Sequence, residues 1–254
     1  MTDRMREVVV LPDGAALMEA AAEHLVTRAA ATIRSSGRFV VALTGGSTPK
    51  PLYDLLASPP YAQRVDWSRV QVFWGDERCV PPSDPASNYG MARATLLDHV
   101  PVSTPAVHRI QGEDPPAVAA AAYEDDLRRV FSTPEGPPRQ TPGQRFDLVL
   151  LGMGDNGHTA SLFPGLTAVQ ERRRWVVAEY VAEVSMWRVT LTPPVINAAA
   201  DVVFLVSGAG KASMLHQVLE SPRRPDALPA QAIAPCTWLV DAAAAAKLRP
   251  STRR

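Results

Sequence analysis

The stretch Phe146-Asp147-Leu148-Val149-Leu150-Leu151-Gly152-Met153-Gly154-Asp155-Asn156-Gly157-His158 decides the fold class. Its first half is a strongly apolar run, and its second half is glycine-rich and polar. A strand with one wet face alternates apolar and polar residues. A strand buried on both faces reads as a continuous run, which is the mark of a parallel sheet covered by helices. The same grammar recurs along the chain. Apolar runs stand at 8–11, 39–43, 70–74, 201–206 and 236–240. Helix-like segments separate them: Asp13 caps one reaching about residue 34 with Leu17, Ala21, Leu25 and Ala29 on one stripe. Others start near Pro49 and cover 87–97, 115–130 and 209–219. Runs at 175–181 and 187–191 read as strands of an antiparallel insert. The expected fold is α/β: an open, mostly parallel Rossmann-like sheet with helices on both faces and a small antiparallel insert.

Composition narrows the function classes. The chain has 254 residues, 26 Lys+Arg against 26 Asp+Glu, 46% apolar and 20% charged content. That is globular, and neutral balance argues against broad nucleic-acid or membrane-surface binding, which needs a basic excess. The 24 prolines, about twice the usual share, predict many stiff turns. Cys79 and Cys236 lie far apart in no CxxC spacing, which fits a reducing compartment. Residues 1–6 are polar and charged with no apolar region behind them, and the uncharged stretch 227–240 falls short of a span. A soluble, cytoplasmic protein is expected, a single domain over 1–254, monomeric or a small homo-oligomer. The Pro/Gly-rich stretch 132–143 reads as a surface loop, short for a domain boundary.

Open α/β sheets bind ligands beyond the carboxyl ends of their strands, so four post-strand loops carry the argument. Gly45-Gly46-Ser47-Thr48 before a helix suits a phosphate: backbone N–H groups converge and hydroxyls add donors. A plain capped turn fits the same residues. Gly152-x-Gly154-x-x-Gly157 matches a dinucleotide fingerprint, but Pro164 leaves no room for the long helix that motif needs. In that loop His158, beside Asp155 and Asn156, suits a general base, or merely caps the turn. Ser207-Gly208-Ala209-Gly210-Lys211 fails the Walker pattern, yet Lys211 can hold one phosphate as a point charge. Gly75-Asp76-Glu77-Arg78 offers an arginine for bidentate phosphate contact, or a local ion pair. The other histidines are scattered, with His24 expected at the surface, and no metal-ligand cluster or cofactor is expected. Together the loops point to a phosphorylated small substrate and a proton-transfer step.

At these residues the chain resembles the 6-phosphogluconolactonases. The segments are LTGGSTPKPLYDLL (43–56), FWGDERCVPPSDPASNYGMARATLL (73–97), FDLVLLGMGDNGHTASLFPG (146–165), RVTLTPPVINAA (188–199) and VSGAGKA (206–212). The resemblance implies an open α/β fold shared with sugar-phosphate isomerases and deaminases. It also implies metal-free hydrolysis of 6-phospho-D-glucono-1,5-lactone to 6-phosphogluconate. By motif position His158 is the base that activates water. Arg78 and Lys211 hold the 6-phosphate with Gly45, Gly46, Ser47 and Thr48 beside it. Asp76 and Asn88 line the sugar end, and Arg188 meets the substrate or the developing oxyanion. The family commonly has Asp directly before Gly-His, where this chain has Asn156. A helper to His158 is therefore either Asn156, as a neutral partner, or Asp155 after a loop adjustment. Two rivals stand: an isomerase or deaminase of the same fold, and a non-catalytic sugar-phosphate sensor.

Overall fold

The computed structural model describes residues 6–133, 136 and 140–253. Most of the N-terminal segment 1–6, and part of the loop expected at 132–143, lie outside the described residues. The first strand, β1 (Arg6–Leu11), leads into helix α1 (Gly14–Ser36), capped as expected by Asp13, whose side chain accepts from the Ala16 N–H. Strand β2 (Phe39–Leu43), helix α2 (Lys50–Ala57) and strand β3 (Val70–Trp74) follow. Further on come β4 (Asp76–Arg78), α3 (Asn88–Thr95), α4 (Pro116–Val130) and β5 (Leu148–Leu151). The last third holds β6 (Val176–Val181), β7 (Met186–Leu191), α5 (Pro193–Asn197), β8 (Val202–Val206), α6 (Ala212–Glu220) and β9 (Cys236–Asp241).

Six strands form one parallel sheet in the order β1-β9-β8-β5-β2-β3. Every residue of β2, β5 and β8 is buried, which is why these runs carry no alternation. β4, β7 and β6 form a second, antiparallel sheet. The expected α/β class, with its small antiparallel insert, is the observed one. The strand order places β2 beside β5, and the chain leaves β2 toward β3 on one side and β5 toward β8 on the other. This is a topological switch point, where the two following loops diverge and leave a crevice.

Residues 75–78 are not simply a loop. Gly75 donates to the Leu43 carbonyl at 2.9 Å and accepts from the Leu191 N–H at 2.8 Å, joining the two sheets, and Asp76–Arg78 continues as β4. Three polar residues form a strand because β7 supplies their ladder partners, a tertiary effect that overrides propensity. His24, expected at the surface, is partly exposed, and its Nε2 lies 2.6 Å from Asp201 Oδ2, tying α1 to the start of β8. The sequence reading also missed the short helix α5.

Candidate active site

The four loops open into one cleft of about 360 Å³. All twelve residues singled out in the sequence line it: Gly45, Gly46, Ser47, Thr48, Asp76, Arg78, Asn88, Asp155, Asn156, His158, Arg188 and Lys211. The main sheet contributes the loops after β2, β5 and β8. The small sheet contributes β4 and β7, where Asp76 pairs in register with Thr190 and Arg78 with Arg188.

His158 sits at the end of the loop after β5. Its ring stacks on Phe163, centroids 4.0 Å apart and planes 17° from parallel. Its Nδ1 lies 2.6 Å from Asn156 Oδ1, which also accepts from the His158 backbone N–H at 3.1 Å. A carbonyl oxygen only accepts, so Nδ1 carries the proton and Nε2 keeps its lone pair. Burial is the largest influence on the ring and pushes its pKa below the ordinary value of 6.5. Arg188 and Lys211 push the same way, while Asp76 and Glu183 oppose. The arrangement therefore holds a neutral imidazole, its Nε2 unpartnered among the described residues, in a cleft lined by three cations (Arg78, Arg188, Lys211) and three carboxylates (Asp76, Asp155, Glu183), and that imidazole can take a proton from water.

The carboxylates divide by partner. Asp76, buried, accepts from Ser161 Oγ at 2.6 Å and from Asn88 Nδ2 at 3.3 Å, while the same Nδ2 donates to the Asp76 carbonyl at 2.9 Å. Glu77 faces away from that role. Its carboxylate accepts from the N–H groups of Arg78, Asn88 and Tyr89 at 2.7–2.8 Å and from Ser87 Oγ at 3.1 Å, holding the start of α3. Burial raises its pKa against those hydrogen bonds. The local ion pair of Arg78 with Asp76 or Glu77 is absent among the described residues. Arg78 donates instead to the Ala86 carbonyl. Burial lowers the pKa of Arg188, and neighbouring Arg78 adds to the effect. Two like charges on adjacent strands favour an anion between them.

Asp155 lies with its carboxylate on Lys211, Oδ1 to Nζ 2.6 Å, which lowers its pKa. The contact to the His158 ring belongs to Asn156, while the Asp155 carboxylate meets Lys211. Sequence reasoning missed Glu183, Ser161 and Phe163. Ser161 and Phe163 fall within a quoted segment, but nothing local marks their partners. Glu183, 27 residues from the Asn156 side chain it touches, carries no signal in sequence at all. Gly45 and Gly154 have a steric use: a Cβ at 45 would lie 1.8 Å from Asn88 Oδ1, and one at 154 would lie 2.0 Å from His158 Cε1. Among the described residues no group of three or more His, Cys, Asp or Glu could hold a metal ion. No described helix is long and apolar enough to cross a membrane.

A parallel sheet with its cleft at the switch point places the chain among the doubly wound α/β proteins. The family model described as glucosamine-6-phosphate isomerases/6-phosphogluconolactonase matches residues 12–240, and the chain belongs to that family. The 6-phosphogluconolactonase of Nostoc sp. is 43% identical over 247 residues, covering 96% of this chain and 98% of the relative. That of Streptomyces coelicolor is 36% identical over 250 residues, covering 95% and 94%. The solved structure of 6-phosphogluconolactonase from Trypanosoma cruzi matches with a TM-score of 0.82 at 29% identity, covering 98% of each chain.

Proposed function

We propose that the protein hydrolyses 6-phospho-D-glucono-1,5-lactone to 6-phospho-D-gluconate. The observation that carries this reading is the neutral, Asn156-bound His158 with its free Nε2 in a cleft that also holds Arg78, Arg188 and Lys211. The names and coverage of the relatives support the substrate. Arg78 and Lys211, with the loop at 45–48, hold the 6-phosphate. Asp76 and Asn88 line the sugar, and Asn156 rather than Asp155 orients the base. His158 Nε2 takes a proton from water as the oxygen attacks C1. Arg188 meets the oxyanion that forms, and the imidazolium returns its proton to the ring oxygen as the C1–O bond breaks. Remote phosphate binding fixes C1 against the base, so its binding energy lowers the barrier. On this reading a single domain carries the activity, in the cytoplasm, as a monomer or small homo-oligomer, with no cofactor, nucleic acid or membrane partner.

The test measures lactone hydrolysis, and amine release from glucosamine 6-phosphate, side by side on the purified protein. Hydrolysis without amine release is expected. The opposite result assigns the deaminase chemistry, and binding with neither reaction assigns a sensor.

A further inference from the structure

Glu183 stands outside the main sheet, in the 3-10 turn Ala182–Val184 between β6 and β7, yet it lines the cleft. Its Oε2 accepts from Asn156 Nδ2 at 2.7 Å, and Asn156 Oδ1 in turn faces His158 Nδ1 at 2.6 Å. Donor chemistry gives this chain a direction. A carboxylate only accepts, so Asn156 must turn its NH₂ toward Glu183, which leaves its carbonyl to the imidazole. The carbonyl then selects the ring tautomer with the proton on Nδ1.

We propose that Glu183 is a positioning residue for His158, acting through Asn156: it holds the amide with its oxygen toward the ring and so keeps Nε2 as the free base. The inference rests on the role of His158 proposed above. Two neutral contacts share the task. The His158 backbone N–H donates to the same Oδ1, and Phe163 sets the plane of the ring. Glu183 alone among the three brings a charge. The ring also faces Asp76 from β4, Arg188 from β7 and Lys211 from the turn after β8, and Lys211 is itself paired with Asp155. Glu183 and Asp76 favour the imidazolium; the two cations and burial oppose it. Removing the charge at 183 therefore lowers the protonation midpoint of the ring.

The experiment reads the His158 ring nitrogens by nitrogen-15 NMR across pH in the ligand-free full chain, beside the kcat/KM profile for the lactone. Glu183→Gln retains an acceptor. It keeps the Nδ1–H tautomer and moves the midpoint down by about 0.3–0.6 pH unit, the scale of one screened charge two hydrogen bonds away. Glu183→Lys sets a donor against the Asn156 NH₂. The amide turns, population moves to the Nε2–H tautomer, and kcat falls by about 10-fold or more as the free base is lost. A parent-like tautomer in Glu183→Lys, or an unmoved midpoint in Glu183→Gln, overturns the positioning role. Absence of lactone turnover in the parent overturns the activity instead, and the ring-nitrogen signals still decide what Glu183 does.

Discussion

Gly154 leaves the space that the imidazole of His158 fills. A Cβ at 154 would lie 2.0 Å from Cε1 and 2.1 Å from Nδ1, and Phe163 stacks on the same ring at 4.0 Å between centroids. A Cβ that close forces the ring to shift from its place beside Asn156. Gly154→Ala is therefore expected to lower kcat by roughly 100-fold, the order of misplacing a general base, while KM changes little. Its backbone needs no left-handed φ, so the Cβ is the whole perturbation. Parent-like kcat in a folded Gly154→Ala would show that the ring is not held where this geometry puts it.

His158→Ala should lower kcat by roughly 10²–10⁴ with little loss of 6-phosphogluconate affinity. In the parent, burial holds the pKa of the ring below 6.5, so neutral base persists at lower pH than for an ordinary histidine. The acid limb of kcat/KM, which reports the free enzyme, should have its midpoint below that value. A midpoint at or above it would mean that another group titrates.

Asn156→Asp should leave an active enzyme with its acid limb moved up. A carboxylate against Nδ1 favours the imidazolium, so the folded pKa of His158 rises and neutral base is lost at higher pH. At pH 6 the variant should be slower than the parent. The same substitution sets two carboxylates where Asn156 now donates to Glu183, so the shift should be larger in the background of Glu183→Gln. An unshifted limb in both backgrounds would uncouple residue 156 from the base.

Arg78→Ala and Lys211→Ala should each weaken 6-phosphogluconate binding by about 10- to 100-fold, the scale of one charge-assisted hydrogen bond, and leave unphosphorylated gluconate nearly unaffected. Calorimetric titration of both ligands against both variants checks this. Equal losses for the two ligands would make the residues structural.

Glu77→Gln should lower thermal stability by about 2–4 kcal/mol. The substitution turns one acceptor oxygen into a donor among three backbone N–H groups, leaving buried donors unsatisfied. A thermal melt at neutral pH reads the change, and an unmoved Tm would show that α3 does not depend on this carboxylate for its start.

Much of this was legible in the chain itself. The continuous runs at 39–43, 148–151 and 202–206 are buried along their whole length, and burial on both faces removes any need for alternation. Asp13 caps α1 because capping is settled within one turn. Ten of the twelve candidate residues were findable because an open parallel sheet sends all its post-strand loops to one edge, whatever the strand order; Asn88 and Arg188 came only from the family resemblance. Partners are another matter. Local pattern is insensitive to which of two adjacent carboxylates or amides meets the ring. Asp155 is taken by Lys211, 56 residues away, and Asn156 by Glu183, 27 residues away. Asp76–Arg78 is a strand only because β7 returns beside it, more than a hundred residues later. Composition and periodicity are properties of a few neighbouring residues, and they determined the layers, the loops and the chemistry on offer. Hydrogen-bond pairing across the cleft depends on where distant segments lie once packed, and only the tertiary structure decided which group meets the His158 ring.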